Sequence, residues 1–233
     1  MSQIVELRQY TLHPGARETL IELFDRELVE TQEAVGMAVI GQFRDCDDPD
    51  RFVWLRGFPD MGARAEGLEA FYGGPVWAEH RDAANATMID SDDVLLLRPA
   101  RPASGFPPPA RRRPPPGTTG SAPGLVAVTI CYLDEQADEA FVGEFERDLR
   151  SVLAATGAQL LAYLVTKESP NNFPALPVRD ETVFVWVARV PDGAAFERHR
   201  EGLRRSAAWL DLLRHVEGEP ELLKLSPTAR SLL

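Results

Sequence analysis

No stretch of this 233-residue chain is apolar over the roughly 20 residues that a membrane-spanning helix needs. The first ten residues, MSQIVELRQY, carry neither the basic nor the apolar block of a secretory signal, so a cytoplasmic location is the expectation. Cysteine is scarce. Cys46 and Cys131 lie far apart without CxxC spacing, which argues against a zinc knuckle or dithiol redox motif and leaves two unpaired thiols. HExxH, GxSxG, GxGxxG and Walker patterns are all missing, which argues against a zinc protease, serine hydrolase, dinucleotide enzyme or P-loop NTPase. No metal site is expected. The aspartates of IDSDD lack the length and glycine of a calcium loop and read as a turn.

Excess positive charge is absent too. With a formal net charge of −11 the chain has no basic face for phosphate contacts, so nucleic acid is not an expected partner. The one basic cluster, Arg111 to Arg113 in ARRRPPPG, reads as solvated linker charge. It lies inside residues 101–124, a Pro-, Gly-, Ser- and Thr-rich segment with no periodic apolar face, able to extend as polyproline II rather than pack a core. The organisation expected is a domain over residues 1–100, this linker over 101–124 and a second domain over 125–233.

What is present is a repeat. FVWLRGFPD at 52–60 returns as FVWVARVPD at 184–192. An offset of 121 places Leu20, Phe24, Leu28 and Gly36 on Phe141, Phe145, Leu149 and Gly157. The second half then gains eleven residues within KESPNNFPALPVRD, after which Phe52, Trp54, Pro59, Asp60 and Trp77 fall on Phe184, Trp186, Pro191, Asp192 and Trp209.

Each half reads as strand, helix, strand, strand, helix, strand. IVELRQYTL alternates as a strand; a helix beginning at Pro14 carries Leu20, Ile21, Phe24 and Leu28 on one face and ends at Gly36. MAVIGQF and RFVWLRGF form a hairpin around RDCDDPD. A helical region from about Met61 to Met88 breaks at YGGP, and DDVLLLRPA closes the unit. This βαββαβ order is ferredoxin-like, with helices on one face of an antiparallel sheet. Two such units cover each other's bare faces, so the fold class expected is α+β, two tandem units closing an intrachain pseudo-dimeric barrel. Alternation assigns Val5, Leu7, Val53 and Leu55 to the helix-covered face and Glu6, Arg8, Tyr10, Phe52, Trp54, Arg56 and Phe58 to the barrel interior. A one-residue error exchanges the two sets.

VELRQYTLHPG, VGMAVIGQF, the W…PD…R continuation and GGPVWAEH before LLLRPA resemble the NIPSNAP family of dimeric α/β-barrel proteins over most of residues 3–100, and 125–228 resemble it more weakly. The resemblance implies the ferredoxin-like barrel but no settled reaction. Related barrels include cofactor-free monooxygenases acting on aromatic polyketides, small-molecule isomerases and cyclases, and haem-binding enzymes.

The halves differ where the first is polar. Arg8, Gln9, Gln42, Arg44, Arg56 and His80 align with Thr129, Ile130, Tyr163, Val165, Ala188 and Leu212, and the second half is four residues shorter between Trp209 and Pro227 than the first between Trp77 and Pro99. Chemistry is therefore sought in the first repeat. His80, three residues after Trp77, could act as general base or haem ligand, or be a surface or hydrogen-bonded structural histidine. Arg8 and Arg56 could hold a carboxylate, enolate or phenolate, or form an internal salt bridge with Glu6. Tyr10 could donate to a ligand oxygen or line a cavity wall. Phe52, Trp54, Trp77 and Gln42 would shape the pocket, while Trp54 and Trp186 are more often core or cavity lining than cofactor contacts. His13, His199 and His215 read as solvated.

Two functions follow. One is a small-molecule enzyme, a cofactor-independent monooxygenase, isomerase or cyclase acting on an aromatic or conjugated compound in the barrel pocket of the first repeat, with no cofactor or, alternatively, haem. In it Arg56, His80 and Tyr10 are catalytic, and Arg8, Phe52, Trp54, Trp77 and Gln42 bind substrate. The other is a non-catalytic ligand-binding or interaction scaffold. A polar-lined cavity of at least a few hundred Å³ in the first repeat would support the first; a packed barrel with Arg8 and Arg56 spent on internal carboxylates would sink it. A small-molecule ligand is the partner expected, with a homodimer if the repeats pair between chains.

Overall fold

The computed structural model describes residues 2–109, 111–137 and 139–233. The first half runs β1 (Ile4–Leu12), α1 (Arg17–Leu23), a π-helical turn (Phe24–Leu28), α2 (Val29–Ala34), β2 (Ala38–Asp45), β3 (Arg51–Phe58), α3 (Met61–Tyr72), α4 (Pro75–Asn85) and β4 (Met88–Pro99). The second half repeats the order: β5 (Leu125–Tyr132), α5 (Glu139–Glu144), a π-helical turn (Phe145–Leu149), α6 (Arg150–Ala155), β6 (Gln159–Thr166), β7 (Val183–Val190), α7 (Gly193–Arg204), α8 (Ala207–Leu212) and β8 (Glu221–Pro227).

The eight strands close one antiparallel barrel in the order β1-β3-β2-β8-β5-β7-β6-β4. Each half supplies four strands, and the seams are equivalent: β2 pairs β8 through Phe43 and Pro227, and β4 pairs β6 through Leu97 and Thr166. The tandem ferredoxin-like architecture read from the repeat is the one formed. Registers repeat as well, since Glu6 lies opposite Arg56 and Arg8 opposite Trp54, while Ala127 lies opposite Ala188 and Thr129 opposite Trp186.

The faces are exchanged relative to the sequence expectation. Val5, Leu7, Phe43, Val53, Leu55, Leu95, Leu97 and their counterparts from β5 to β8 fill the barrel interior. Tyr10, Phe52, Trp54 and Phe58 lie on the outer face, packed against Leu20, Phe24, Leu28 and Leu68 of the helices. An eight-stranded barrel is just wide enough for side chains to fill, here mostly aliphatic ones with Phe43 and Phe106, while the sheet–helix layer takes the indoles and guanidiniums. Both faces are buried, so alternation separates two sets without saying which is inside. Each fully buried Val or Leu contributes about 1.5–3 kcal/mol, and among the described residues these side chains fill the interior where the first repeat's substrate pocket was expected, which overturns the reading of an enzyme site inside the barrel.

Other corrections are local. The first helix starts at Arg17, because Pro14 and Gly15 make a turn in which Gly15 has φ +77° and donates its N–H to Asp50 Oδ1 at 2.9 Å. IDSDD is not a turn but the irregular start of β4, where the pairing to β1 shifts register. The linker is docked: Phe106 joins the barrel core, Ser104 donates to the Tyr163 carbonyl at 2.8 Å, and Arg113 donates to the Val39 and Arg230 carbonyls, each at 2.6 Å. Arg111 reaches the Ser231 carbonyl at 2.5 Å, so two of the three linker arginines are fasteners rather than solvated charge. His199 is fully buried against Thr156 Oγ1 at 3.0 Å, and burial lowers its pKa; it is no surface residue. Among the described residues no helix is long and apolar enough to cross a membrane.

Candidate functional site

Pairing of β1 with β3 puts Glu6 beside Arg56, and two residues further along the same face come Arg8 and Trp54. Above them α3 is capped by Asp60, whose side chain accepts from the Ala63 N–H at 2.8 Å; this cap fixes the first turn, from which Arg64 reaches down onto the sheet. Three guanidiniums thus surround one carboxylate. Glu6 Oε2 accepts from Arg8 at 2.9 Å and from Arg56 at 2.6 and 3.0 Å, and Oε1 accepts from Arg64 at 2.7 Å. All four residues are at most 1% exposed.

Aromatic faces complete the surroundings. Arg8 lies 5.6 Å and Arg56 5.0 Å from the Trp54 ring centroid. Arg8 Nε donates to the Tyr10 hydroxyl at 3.0 Å, leaving the phenol its own O–H to donate. Burial alone would raise the Glu6 carboxyl, but the combined fields of Arg56, Arg8 and Arg64 outweigh it and hold Glu6 well below the ordinary carboxylate range. Burial pushes the Tyr10 phenol above its usual value against the pull of Arg8, so Tyr10 is neutral at physiological pH. One carboxylate against three guanidiniums leaves a buried excess of positive charge. Arg64 Nη2 has no hydrogen-bond partner among the described residues.

The roof over this cluster comes from the other half. Residues inserted between β6 and β7 cross to the first repeat: Arg64 donates to the side-chain oxygens of Asn171 at 3.1 Å and Asn172 at 2.7 Å, and Phe173 stacks on Tyr72 at 5.9 Å. Beneath it lies a cavity of only about 30 Å³, lined by Tyr10, Gln32, Trp54, Tyr72 and Trp77 among others. That is the space of a single water.

The structure therefore gathers Arg8, Arg56, Tyr10 and Trp54 into one site, with Phe52 behind Tyr10 and Trp77 at the cavity edge. His80 and Gln42 stand apart. His80 Nε2 lies 3.8 Å from Glu27 Oε2, and Gln42 donates to Asp25 Oδ1 at 3.0 Å beneath the π-helical turn. A haem does not fit these residues, because the cavity is far too small and the imidazole faces a carboxylate. Missed by the sequence reading were Arg64, Gln32, Asn171 and Asn172. The repeat itself held a signal for two of them, since Arg64 aligns with Phe196 and Gln32 with Leu153.

The same alignment gives an internal control. At the positions of Glu6, Arg8, Arg56 and Arg64 the second repeat has Ala127, Thr129, Ala188 and Phe196, all buried on the same face of the same fold. The polar cluster is not what this layer needs in order to pack.

A closed eight-stranded barrel from two ferredoxin-like halves, with a specialised sheet–helix site in one half, defines a fused α/β barrel. Residues 5–103 match the NIPSNAP family. The first half of the chain is thus similar to that family. None of the curated protein sequences matches the chain. Among solved structures, a candidate monooxygenase from Lactobacillus acidophilus is similar over 97% of this chain and 94% of its own, at 15% identity and TM-score 0.57. An anthrone oxidase-like protein is similar over 100% and 98%, at 14% identity and TM-score 0.57. A NIPSNAP-like domain protein from Burkholderia xenovorans is 28% identical over 45% of this chain and 91% of its own, with TM-score 0.41. The two full-length likenesses establish the barrel.

Proposed function

We propose that the first repeat binds a small conjugated molecule as its enolate or phenolate, and that cofactor-independent oxygenation of that anion is the activity. The observation that carries this is the contrast between repeats: three buried guanidiniums around one carboxylate in the first, three apolar side chains and the uncharged Thr129 in the second. Burying excess charge costs several kcal/mol per ion, so a fold that packs without it retains it for an anionic partner. Arg8 and Arg64 would hold the oxyanion, Tyr10 rather than His80 would donate to it, and Trp54, Tyr72 and Trp77 would flank the rings. The amide oxygens of Asn171 and Asn172 occupy Arg64 where that oxyanion would bind, so the β6–β7 segment acts as the lid that substrate displaces.

Anthrone is the first substrate to try, given the full-length likeness to an anthrone oxidase-like protein. Its enolate takes up one O2, and the hydroperoxide loses one water to leave anthraquinone. An oxygen electrode with product chromatography should show equimolar O2 uptake and quinone, lost when the second repeat's residues are installed as Glu6→Ala, Arg8→Thr, Arg56→Ala and Arg64→Phe. Uptake no faster than in buffer, across anthrone and related enolisable aromatics, defeats the oxygenase reading. Sealing of the cluster and filling of the barrel favour a second reading, in which the arginines only clamp the β6–β7 segment. In that case the fourfold variant folds and no ligand binding is lost.

A further inference from the structure

The second repeat has an opening where the first has its cluster. A pocket of about 430 Å³ is walled by Thr129, Phe196, Leu203, Trp209, Leu213 and Leu222. By register and alignment, Thr129 stands in the place of Arg8, Phe196 of Arg64, Leu203 of Phe71 and Trp209 of Trp77, so this is the pseudo-symmetric counterpart of the first site. Two differences open it. A threonine replaces an arginine at the base, and the loop that would roof it, between β2 and β3, is eleven residues shorter than its counterpart and contributes Asp47 at the rim rather than a lid.

The base carries a polar group without a use. Thr129 is 1% exposed, lines the pocket, and its hydroxyl has no hydrogen-bond partner among the described residues. A buried hydroxyl left unpaired is destabilising by about 1–3 kcal/mol, a penalty the aligned apolar positions around it avoid. The volume falls within the range of about 300–1,000 Å³ typical of small-molecule sites. The mouth sets the ligand's charge. Arg200 is paired to Glu197 at 2.5 Å, and the lining carries one further cation, Arg204, with two carboxylates, Asp47 and Glu219, so no strong excess of positive charge is presented to a ligand. Leu210, 55% exposed, extends the apolar wall outward.

We propose that the second repeat is a separate binding site for an uncharged aromatic alcohol or ketone, its oxygen hydrogen-bonded to Thr129 Oγ1 and its rings packed on Trp209. The site does not depend on the reading of the first repeat. Calorimetric titration of the full chain with 2-naphthol tests it, with naphthalene as the ligand lacking the oxygen. Saturable 2-naphthol binding is expected, weakened about three- to tenfold by Thr129→Val, which keeps the shape but removes the hydroxyl. Naphthalene binding should not respond to that change. Leu203→Trp, which fills the pocket, should abolish both, whereas the fourfold variant of the first repeat should leave both intact. No saturable binding overturns the proposal, as does binding that survives Leu203→Trp or disappears in the first-repeat variant. Should Leu203→Trp not fold, the ratio of 2-naphthol to naphthalene affinity in Thr129→Val decides alone: an unchanged ratio is a refutation.

Discussion

At the scale of single residues, Glu6 holds the first repeat's buried polar cluster together. Its carboxylate is the shared acceptor of Arg8, Arg56 and Arg64, and none of the four meets solvent. Glu6→Gln leaves three guanidiniums without a counter-charge and should destabilise the protein by about 3–5 kcal/mol in urea unfolding. Replacing all four residues by those of the second repeat should be close to neutral, because no charge is then left unpaired. The pH response follows from the direction of the shift. Glu6 in the folded protein lies below its ordinary value of 4.5, so its contribution is complete above that pH and erodes as pH falls beneath it. Wild type should therefore lose more stability than the fourfold variant between pH 7 and pH 3. Arg8 and Arg56 were legible from the unequal repeats. Arg64 carried the same signal through its alignment with Phe196, but that its side chain turns inward onto Glu6 is set by the Asp60-capped helix lying over the sheet.

At the scale of elements, the two π-helical turns are equivalent, and both set a carboxylate against the second strand of their unit. Asp25 accepts from Gln42, and Glu146 accepts from the Tyr163 hydroxyl. A one-residue widening of a helix leaves no mark on hydrophobic periodicity, so neither turn was visible in the sequence. The eleven-residue insertion was visible, its destination was not: loops are placed by what they meet, and this one meets the other repeat. Removing its two contacts to Arg64 with Asn171→Ala and Asn172→Ala should loosen the β6–β7 segment and speed amide exchange over Arg64 to Phe71 about tenfold or more, with β5 and β7 unaffected. Gly36 turns the chain into β2 at φ +87°, matched by Gly157 at +82°. Gly36→Ala should lower stability by about 1–2 kcal/mol in thermal unfolding, through the left-handed backbone alone.

At the scale of the whole molecule, the barrel interior belongs to neither half. Each four-stranded sheet leaves one aliphatic face bare until the other covers it. Cutting the chain at Gly117, beyond the Arg113 anchor, should yield halves that co-purify as one complex when expressed together, while either half alone aggregates or pairs with itself; size-exclusion chromatography reads the outcome. The sequence by itself determined the duplication, the strand and helix order, the closed pairing of two units and the half in which polarity is concentrated, because periodicity and self-similarity are local and survive without coordinates. Tertiary structure alone decided which face of a doubly buried strand points inward, that Arg8 and Arg56 share Glu6 with Arg64 outside the barrel, and that one repeat is roofed while the other stands open. Those are outcomes of packing volume and of where a distant loop lands, and neither quantity is written in the order of residues along one strand.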